Sequence, residues 1–345
     1  MRRHKYSKEL FTRRPGGDLP SIVVASEENQ QSKFVTQKIL ELREEGVPLT
    51  DIAVLFRSGF LSFDLEIELN KANIPFVKFG GFKFMETAHV KDLIAYLRVL
   101  ENPRDAVAWN RILLLVDGVG PRTAQKVIGD ILARRVTTRT GGNSTTLPAF
   151  WADFGAYPGK VRDLFDRLKA MAPDHLSPAD KVQTLLDYYH PIFTKRYDDH
   201  NKRKKDLEMF QQITERYRTL TSFLTDLALE PATESVADIT SPGSDDEKLI
   251  LSTIHSAKGL EWHSVFVIYA LEGRFPATRA AMNDDTMEEE RRLMYVACTR
   301  AKENLFITYP INIYDRETGL VLSKPSRFIA DMPDMLLDSW LVDEE

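Results

Sequence analysis

The chain has 345 residues, 43% hydrophobic and 28% charged, with a formal net charge of −5. That length suits two domains, and the composition is ordinary for a folded chain with a sizeable core. The acidic balance argues against wholesale coating of nucleic acid and leaves room for a local basic track, while a single cysteine, Cys298, excludes a disulfide framework and a cysteine-based zinc site.

No apolar stretch reaches membrane-spanning length. The first residues, Met1-Arg-Arg-His-Lys, are basic but no apolar segment follows, so a secretory signal is not expected. These features predict a cytoplasmic protein that does not engage a membrane.

Residues 1–20 read as a linker. Ser21–Ala25 is a short β-branched strand. Ser26 then offers a helix N-cap, with Glu27 and Glu28 in the first turn. The helix runs to Gly46, a residue suited to the left-handed C′ position. Ile52–Phe56 is a continuous apolar run of the kind found in strands buried on both faces. Leu61, Leu65, Leu69 and Ala72 recur at helical spacing, and 74–77 returns to strand. Strand–helix–strand alternation implies right-handed parallel βαβ units.

From about Asn102 to about Ser244 strand-like runs almost vanish. One long helix is predicted to carry Phe210, Ile213, Tyr217, Leu220, Leu224 and Leu227. A coiled coil would use such a seam, but the stretch is too short, and a core helix is the better reading. The polar stretches 137–146 and 231–247 read as loops. Asn201-Lys-Arg-Lys-Lys205 is a basic run, read first as a solvated surface and second as a DNA backbone contact. Strands resume at 249–254, 264–269 and 304–308, with a charged helix over 288–301 between the last two. The expected architecture is an α/β domain with a parallel sheet, residues 21–101 and 245–335, interrupted by a mainly α-helical domain, residues 102–244. Residues 336–345 read as an acidic tail.

In open parallel sheets, ligands bind beyond the carboxyl ends of the strands. Arg57 and Ser58 follow the second strand. His255 follows the 249–254 strand, with Lys258, Gly259 and Glu261 close behind. Glu272 and Gly273 follow the next. Strand ends are also polar simply because they reach solvent. On the 288–301 helix, Leu293, Val296, Ala297 and Arg300 fall at i, i+3, i+4 and i+7, so the arginine continues an apolar stripe. A guanidinium cannot enter a core unpaired; it must reach solvent, a carboxylate or an anion. Arg57 and Arg300 on one edge of one sheet are expected to form a two-pronged clamp for phosphate oxygens. The seven histidines show no metal-ligand spacing, and no metal site is predicted.

The insertion carries Leu113-Leu-Leu-Val-Asp-Gly118-Val119-Gly120-Pro121-Arg122-Thr123-Ala124-Gln-Lys126. Two helices flanking a Gly-x-Gly turn resemble a helix-hairpin-helix, though an ordinary turn between helices has the same outline. Gly118 and Gly120 would let backbone N–H groups approach a phosphate, and Arg122 and Lys126 add charge.

In order along the chain, Leu55-Phe-Arg57-Ser58, Gly80-Gly-Phe-Lys-Phe-Met-Glu86, Val90-Lys91-Asp92, Thr253-Ile-His255-Ser-Ala-Lys258-Gly259-Leu-Glu261, Glu289-Glu-Arg-Arg-Leu-Met-Tyr295-Val-Ala-Cys-Thr299-Arg300-Ala and Pro325-Ser-Arg327-Phe328 resemble the conserved blocks of UvrD/Rep/PcrA-type superfamily 1 DNA helicases. Trp262 and Ala297-Cys298 depart from the usual residues and supply no reacting group. The resemblance implies the second RecA-like domain of such a helicase, with the insertion as its accessory domain. It implies that Arg57 and Arg300 act as arginine fingers on ATP, that Glu261 faces the nucleotide ribose, and that His255 and Lys258 touch single-stranded DNA. Gly118, Gly120, Arg122 and Lys126 would contact duplex DNA.

A phosphate loop, Gly-x-x-x-x-Gly-Lys-Ser/Thr, is absent, and Asp245-Asp246-Glu247 lacks the apolar strand that a magnesium-binding acid needs before it. ATP and Mg2+ would therefore be held mainly by a separate N-terminal RecA-like domain, and this chain alone is expected to be inactive. Expected partners are single-stranded and duplex DNA, that first motor domain and repair proteins. The rival readings are a non-catalytic DNA- or partner-binding module and the motor part of a RecB/AddA-type helicase–nuclease.

Overall fold

The computed structural model describes residues 18–80, 86–133, 159–228, 247–278, 283–315 and 319–342. Seven parallel strands form one sheet: β1 (Ser21–Ala25), β2 (Ile52–Phe56), β3 (Phe76–Phe79), β4 (Leu249–Thr253), β5 (Trp262–Val267), β6 (Ala301–Pro310) and β9 (Asp338–Val342), in spatial order β3-β4-β2-β5-β6-β1-β9. A small antiparallel hairpin joins β7 (Ile313–Asp315) to β8 (Leu320–Leu322). All five residues of β2 are buried, as a strand covered on both faces requires.

Helix α1 (Glu28–Glu44) turns Val35, Thr36, Ile39 and Leu42 into the sheet core and ends before Gly46, which takes φ +94°. Ser26 does not cap it. Its N–H and hydroxyl instead both donate to Gln30 Oε1, at 2.7 and 2.8 Å. Between β5 and β6 in the chain, α10 (Asp284–Cys298) buries Glu290, Leu293, Met294 and Ala297.

A second apolar core is built from helices: α3 (Ala88–Glu101), α4 (Ala106–Leu113), α5 (Pro121–Ala133), α6 (Lys160–Met171), α7 (Pro178–Arg196), α8 (His200–Thr214) and α9 (Leu220–Ala228). Between the two cores lies α2 (Phe63–Lys71). Leu65 and Leu69 face the sheet core, whereas Phe63 and Ile67 face the helices. A helix apolar on two sides is what burial between two layers demands. The sheet and the helices are therefore welded along α2.

Besides the missing Ser26 cap, the structure departs from the sequence-based expectations at four places. The predicted long helix is two helices, α8 and α9, because Thr219 caps a new start by accepting from Ser222 N–H at 3.1 Å. The domain boundary expected at 101/102 lies too late for α3, whose Val90, Leu93, Leu97 and Leu100 enter the helical core. Much of the expected acidic tail is β9, which pairs in parallel with β1. Trp340 anchors it edge-on against Phe34, with ring centroids 6.1 Å apart. The 288–301 helix ends at Cys298, so Arg300 stands outside it. The loop predicted at 137–146, the 231–246 part of the loop predicted at 231–247, and the 81–85 part of the glycine-bearing block lie outside the described residues.

Candidate functional site

Strand polarity decides which predicted residues can meet. Arg57 follows the carboxyl end of β2, whereas Arg300 immediately precedes the amino end of β6. Through the β2–β5 and β5–β6 registers, Arg57 stands level with Tyr269 and Arg300 level with Glu261. Eight steps at roughly 3.3 Å per residue put them about 25 Å apart along the strands. The expected two-pronged clamp of Arg57 and Arg300 does not form, because in a parallel sheet these positions belong to opposite rims.

Arg57 is also committed elsewhere. Its Nε and Nη2 donate to Glu290 Oε1 of α10 at 2.8 and 2.7 Å. Glu290 retains 5% side-chain exposure and also accepts from Ala277 N–H at 3.3 Å. The pair ties the end of β2 to α10 and to the segment after β5. A carboxylate in the buried stripe Glu290, Leu293, Met294, Ala297 had to find a cation. That stripe is one register away from the one expected, and it was readable as an acid at the first position of an i, i+3, i+4, i+7 pattern.

The amino rim gathers Arg300 and Glu261. Arg300 donates to the backbone oxygens of Val296 (3.1 Å) and Leu260 (2.7 Å) and to Thr299 Oγ1 (3.0 Å). All three acceptors are neutral, so these contacts orient the half-buried guanidinium without cancelling its charge. The contact to Leu260 places it beside Glu261, which is exposed. This edge offers one oriented cation and one carboxylate.

His255 and Lys258 occupy the crossover from β4 to β5. Ile254 N–H still bonds to Phe56 O at 3.1 Å, so the crossover starts at the carboxyl rim. It reaches the amino rim at Glu261, passing through Gly259 at φ +90°. His255 and Lys258 are exposed along this path. The start is packed tightly: a Cβ on Gly80 would fall 2.1 Å from Thr253 Oγ1 and 2.6 Å from Ser256 Oγ. At the same rim Glu272 takes Arg327, with Nε–Oε1 and Nη2–Oε2 distances of 3.0 and 2.9 Å, fastening the chain's later segment across the end of β5.

The hairpin in the helical layer is formed by α4, residues 114–120 and α5. Gly118 adopts φ +83°, and no atom lies within 4 Å of a Cβ built on Gly118 or Gly120. Arg122 and Lys126 are exposed, while Ala124, Val127, Ile128 and Ile131 form the buried side of α5. The turn is held by Asp117, which accepts from Lys160 Nζ at 2.8 Å and from Lys195 Nζ at 2.9 Å. Those two lysines push the Asp117 carboxyl down to about 2. Sequence reasoning missed both partners, since they arrive from 43 and 78 residues away.

Among the described residues no group of three or more His, Cys, Asp or Glu could hold a metal ion, and no helix is long and apolar enough to cross a membrane. Burial lifts the Cys298 thiol to about 11, which makes it a packed group rather than a nucleophile.

A parallel α/β layer with a discontinuous helical insertion and an oriented arginine at one rim defines a RecA-like domain with accessory helices. The chain belongs to the UvrD-like helicase C-terminal domain family, whose model matches residues 2–311. It is similar to the ATP-dependent DNA helicase PcrA of Bacillus subtilis (strain 168), 30% identical over 351 residues, covering 96% of this chain and 46% of that protein. The PcrA proteins of Leuconostoc citreum, at 30% identity, and Staphylococcus epidermidis, at 31%, match with the same coverage. The chain spans about half the length of the curated relatives it matches, and its sequence contains no phosphate loop.

Proposed function

We propose that this chain is the C-terminal portion of an ATP-dependent 3′–5′ DNA helicase acting in the cytoplasm, supplying the second half of a nucleotide site and part of the DNA track. The observation that carries this reading is Arg300, fixed by three neutral acceptors at the amino rim beside Glu261. An oriented guanidinium is suited to charge that develops on a phosphoryl group in transfer. Glu261 would accept from the ribose hydroxyls. ATP, with its Mg2+, would bind chiefly to a phosphate-loop domain facing this rim. By itself the chain would turn over no nucleotide. Arg57 is not part of the proposal, because its guanidinium is engaged with Glu290.

The crossover 254–261 gives a physical route for coupling. His255 and Lys258 would touch single-stranded DNA near one end, and Glu261 would touch nucleotide at the other. A shift of eight residues of backbone would therefore be felt at both places. The hairpin would hold duplex DNA through the open backbone at Gly118 and Gly120 and through Arg122 and Lys126. Repair proteins remain among the proposed partners.

The decisive experiment combines the chain with a phosphate-loop domain of this family and measures DNA-stimulated ATPase. Activity that requires both parts and is lost in Arg300→Ala supports the reading. Activity that survives Arg300→Ala ends it. A non-catalytic DNA-binding module is the second reading, favoured by the hairpin's open glycines. It predicts that the chain binds duplex DNA equally well with Arg300 replaced and confers no ATPase on any partner.

A further inference from the structure

Five polar side chains meet where the sheet's carboxyl rim adjoins the helical layer. Glu28 opens α1, Asp64 lies in the first turn of α2, and Tyr269 and Arg274 follow β5. Arg216 comes from the helical layer, in the break between α8 and α9, and its Nη1 bonds to Asp64 Oδ1. Glu28 is 6% exposed, Asp64 0% and Tyr269 1%. Arg216 and Glu28 also line a cleft of about 500 Å³, together with Glu27, Gln212 and Asn312, so the cluster lies just beneath solvent.

Two carboxylates balance two guanidiniums in charge, but the hydrogen bonding of the carboxylates is incomplete. Glu28 Oε1 and Asp64 Oδ2 are buried without a hydrogen-bond partner, and the two carboxylates repel each other when both are ionised. A buried carboxylate in this position holds a proton at less cost than a charge. Glu28 is accordingly pushed up to about 7, first by burial and next by Asp64, with Arg216 and Arg274 pulling the other way.

We propose that Glu28 is a proton-operated latch: protonated, it keeps the helical layer seated on the sheet's carboxyl rim, and ionised, it loosens the seam around Arg216. The latch is a property of the fold and does not depend on the helicase reading. Its sign follows from linkage. The seated form holds a proton that an opened, solvated Glu28 near its ordinary 4.5 would release, so seating is favoured at low pH and weakened as pH rises toward 7. With those two values, opening should be about tenfold more frequent at pH 8 than at pH 6, most of the change falling below pH 7.

Amide hydrogen exchange on the full chain, corrected for the intrinsic pH dependence of exchange, tests this. The reporters are the N–H groups of Arg216 and Tyr217, bonded to Ile213 O and Thr214 O, and of Gln31, bonded to Glu27 O. The expected result is about a tenfold loss of protection from pH 6 to pH 8 at these amides, absent from the interior of β2 and abolished in Glu28→Gln. Asp64→Asn provides a second reading should Glu28→Gln fail to fold: removing the like charge must move the midpoint to lower pH. A flat wild-type profile, an equal trend in Glu28→Gln, or an unmoved midpoint in Asp64→Asn overturns the latch.

Discussion

Arg57 and Glu290 lie 233 positions apart in the chain and close a 2.7 Å ion pair that pins the end of β2 to α10. This relationship turns a residue with the outward marks of a catalytic arginine into a structural one.

Replacing Arg57 by Met should therefore act on stability. A nearly buried carboxylate loses its cation, and discounting for the partial exposure of Arg57, the cost should be about 2–3 kcal/mol. Urea unfolding measures it. The double variant Arg57→Met with Glu290→Leu should recover part of that loss, because the uncompensated charge is gone. A wild-type midpoint in Arg57→Met would show the pair to be idle.

Arg300→Ala should behave in the opposite way. Urea midpoints should stay close to wild type, since the guanidinium's partners are neutral and half-exposed. In the complete protein, the ATPase kcat should fall by about 10³- to 10⁵-fold, the range for loss of an arginine finger. KM for ATP should change little. Stopped-flow binding with a fluorescent nucleotide separates affinity from turnover.

On the hairpin, replacing Arg122 and Lys126 together by Gln should weaken duplex binding uniformly across sequences. It should also lower the slope of log K against log salt by about 1.8, the value for two lost phosphate contacts. Fluorescence anisotropy at several salt concentrations reads both quantities. An unchanged slope would remove these residues from the DNA surface.

The Asp117 clamp on the hairpin should be insensitive to pH through the neutral and mildly acidic range. Its carboxyl is depressed to about 2 by Lys160 and Lys195, so the contribution is complete above the ordinary 3.8 and fades only as pH falls through about 2. The carboxyl 13C shift of Asp117 should accordingly stay constant from pH 8 to pH 4. A midpoint near 4 would mean that the lysines do not hold it in solution.

Gly80→Ala should destabilise the sheet's carboxyl rim. Gly80 takes φ +77°, and a Cβ there would meet Thr253 Oγ1 at 2.1 Å. Strain and displacement together should cost about 2–3 kcal/mol. Thermal unfolding checks it; a change within 0.5 kcal/mol, an ordinary surface effect, would contradict the packing.

The sheet was legible wherever burial on both faces leaves a continuous apolar run, as in β2 and β4. β9 was not, because an edge strand has one open side and its sequence, Asp-Ser-Trp-Leu-Val, runs straight into the acidic residues Asp343-Glu344-Glu345, which resemble a tail. The α8–α9 break was hidden for another reason: Phe210 and Ile213 before it and Leu220 and Leu227 after it all enter the helical core at spacings of three and seven, so periodicity runs through the interruption. Spacing identified Arg57 and Arg300 as notable. It could not say that parallel strands separate them, since rim membership depends on whether a residue follows its strand or precedes it. The resemblance to helicases named the right family, whereas the shared-edge geometry was an inference that strand direction overrules.

The pairing of β9 with β1 has a practical consequence for anyone trimming or fusing this chain. A cut before Asp338 would strip β1 of its outer neighbour and leave its backbone donors and acceptors bare. Such a rim is a template for stray strands, so a shortened product should self-associate with the helical layer still folded.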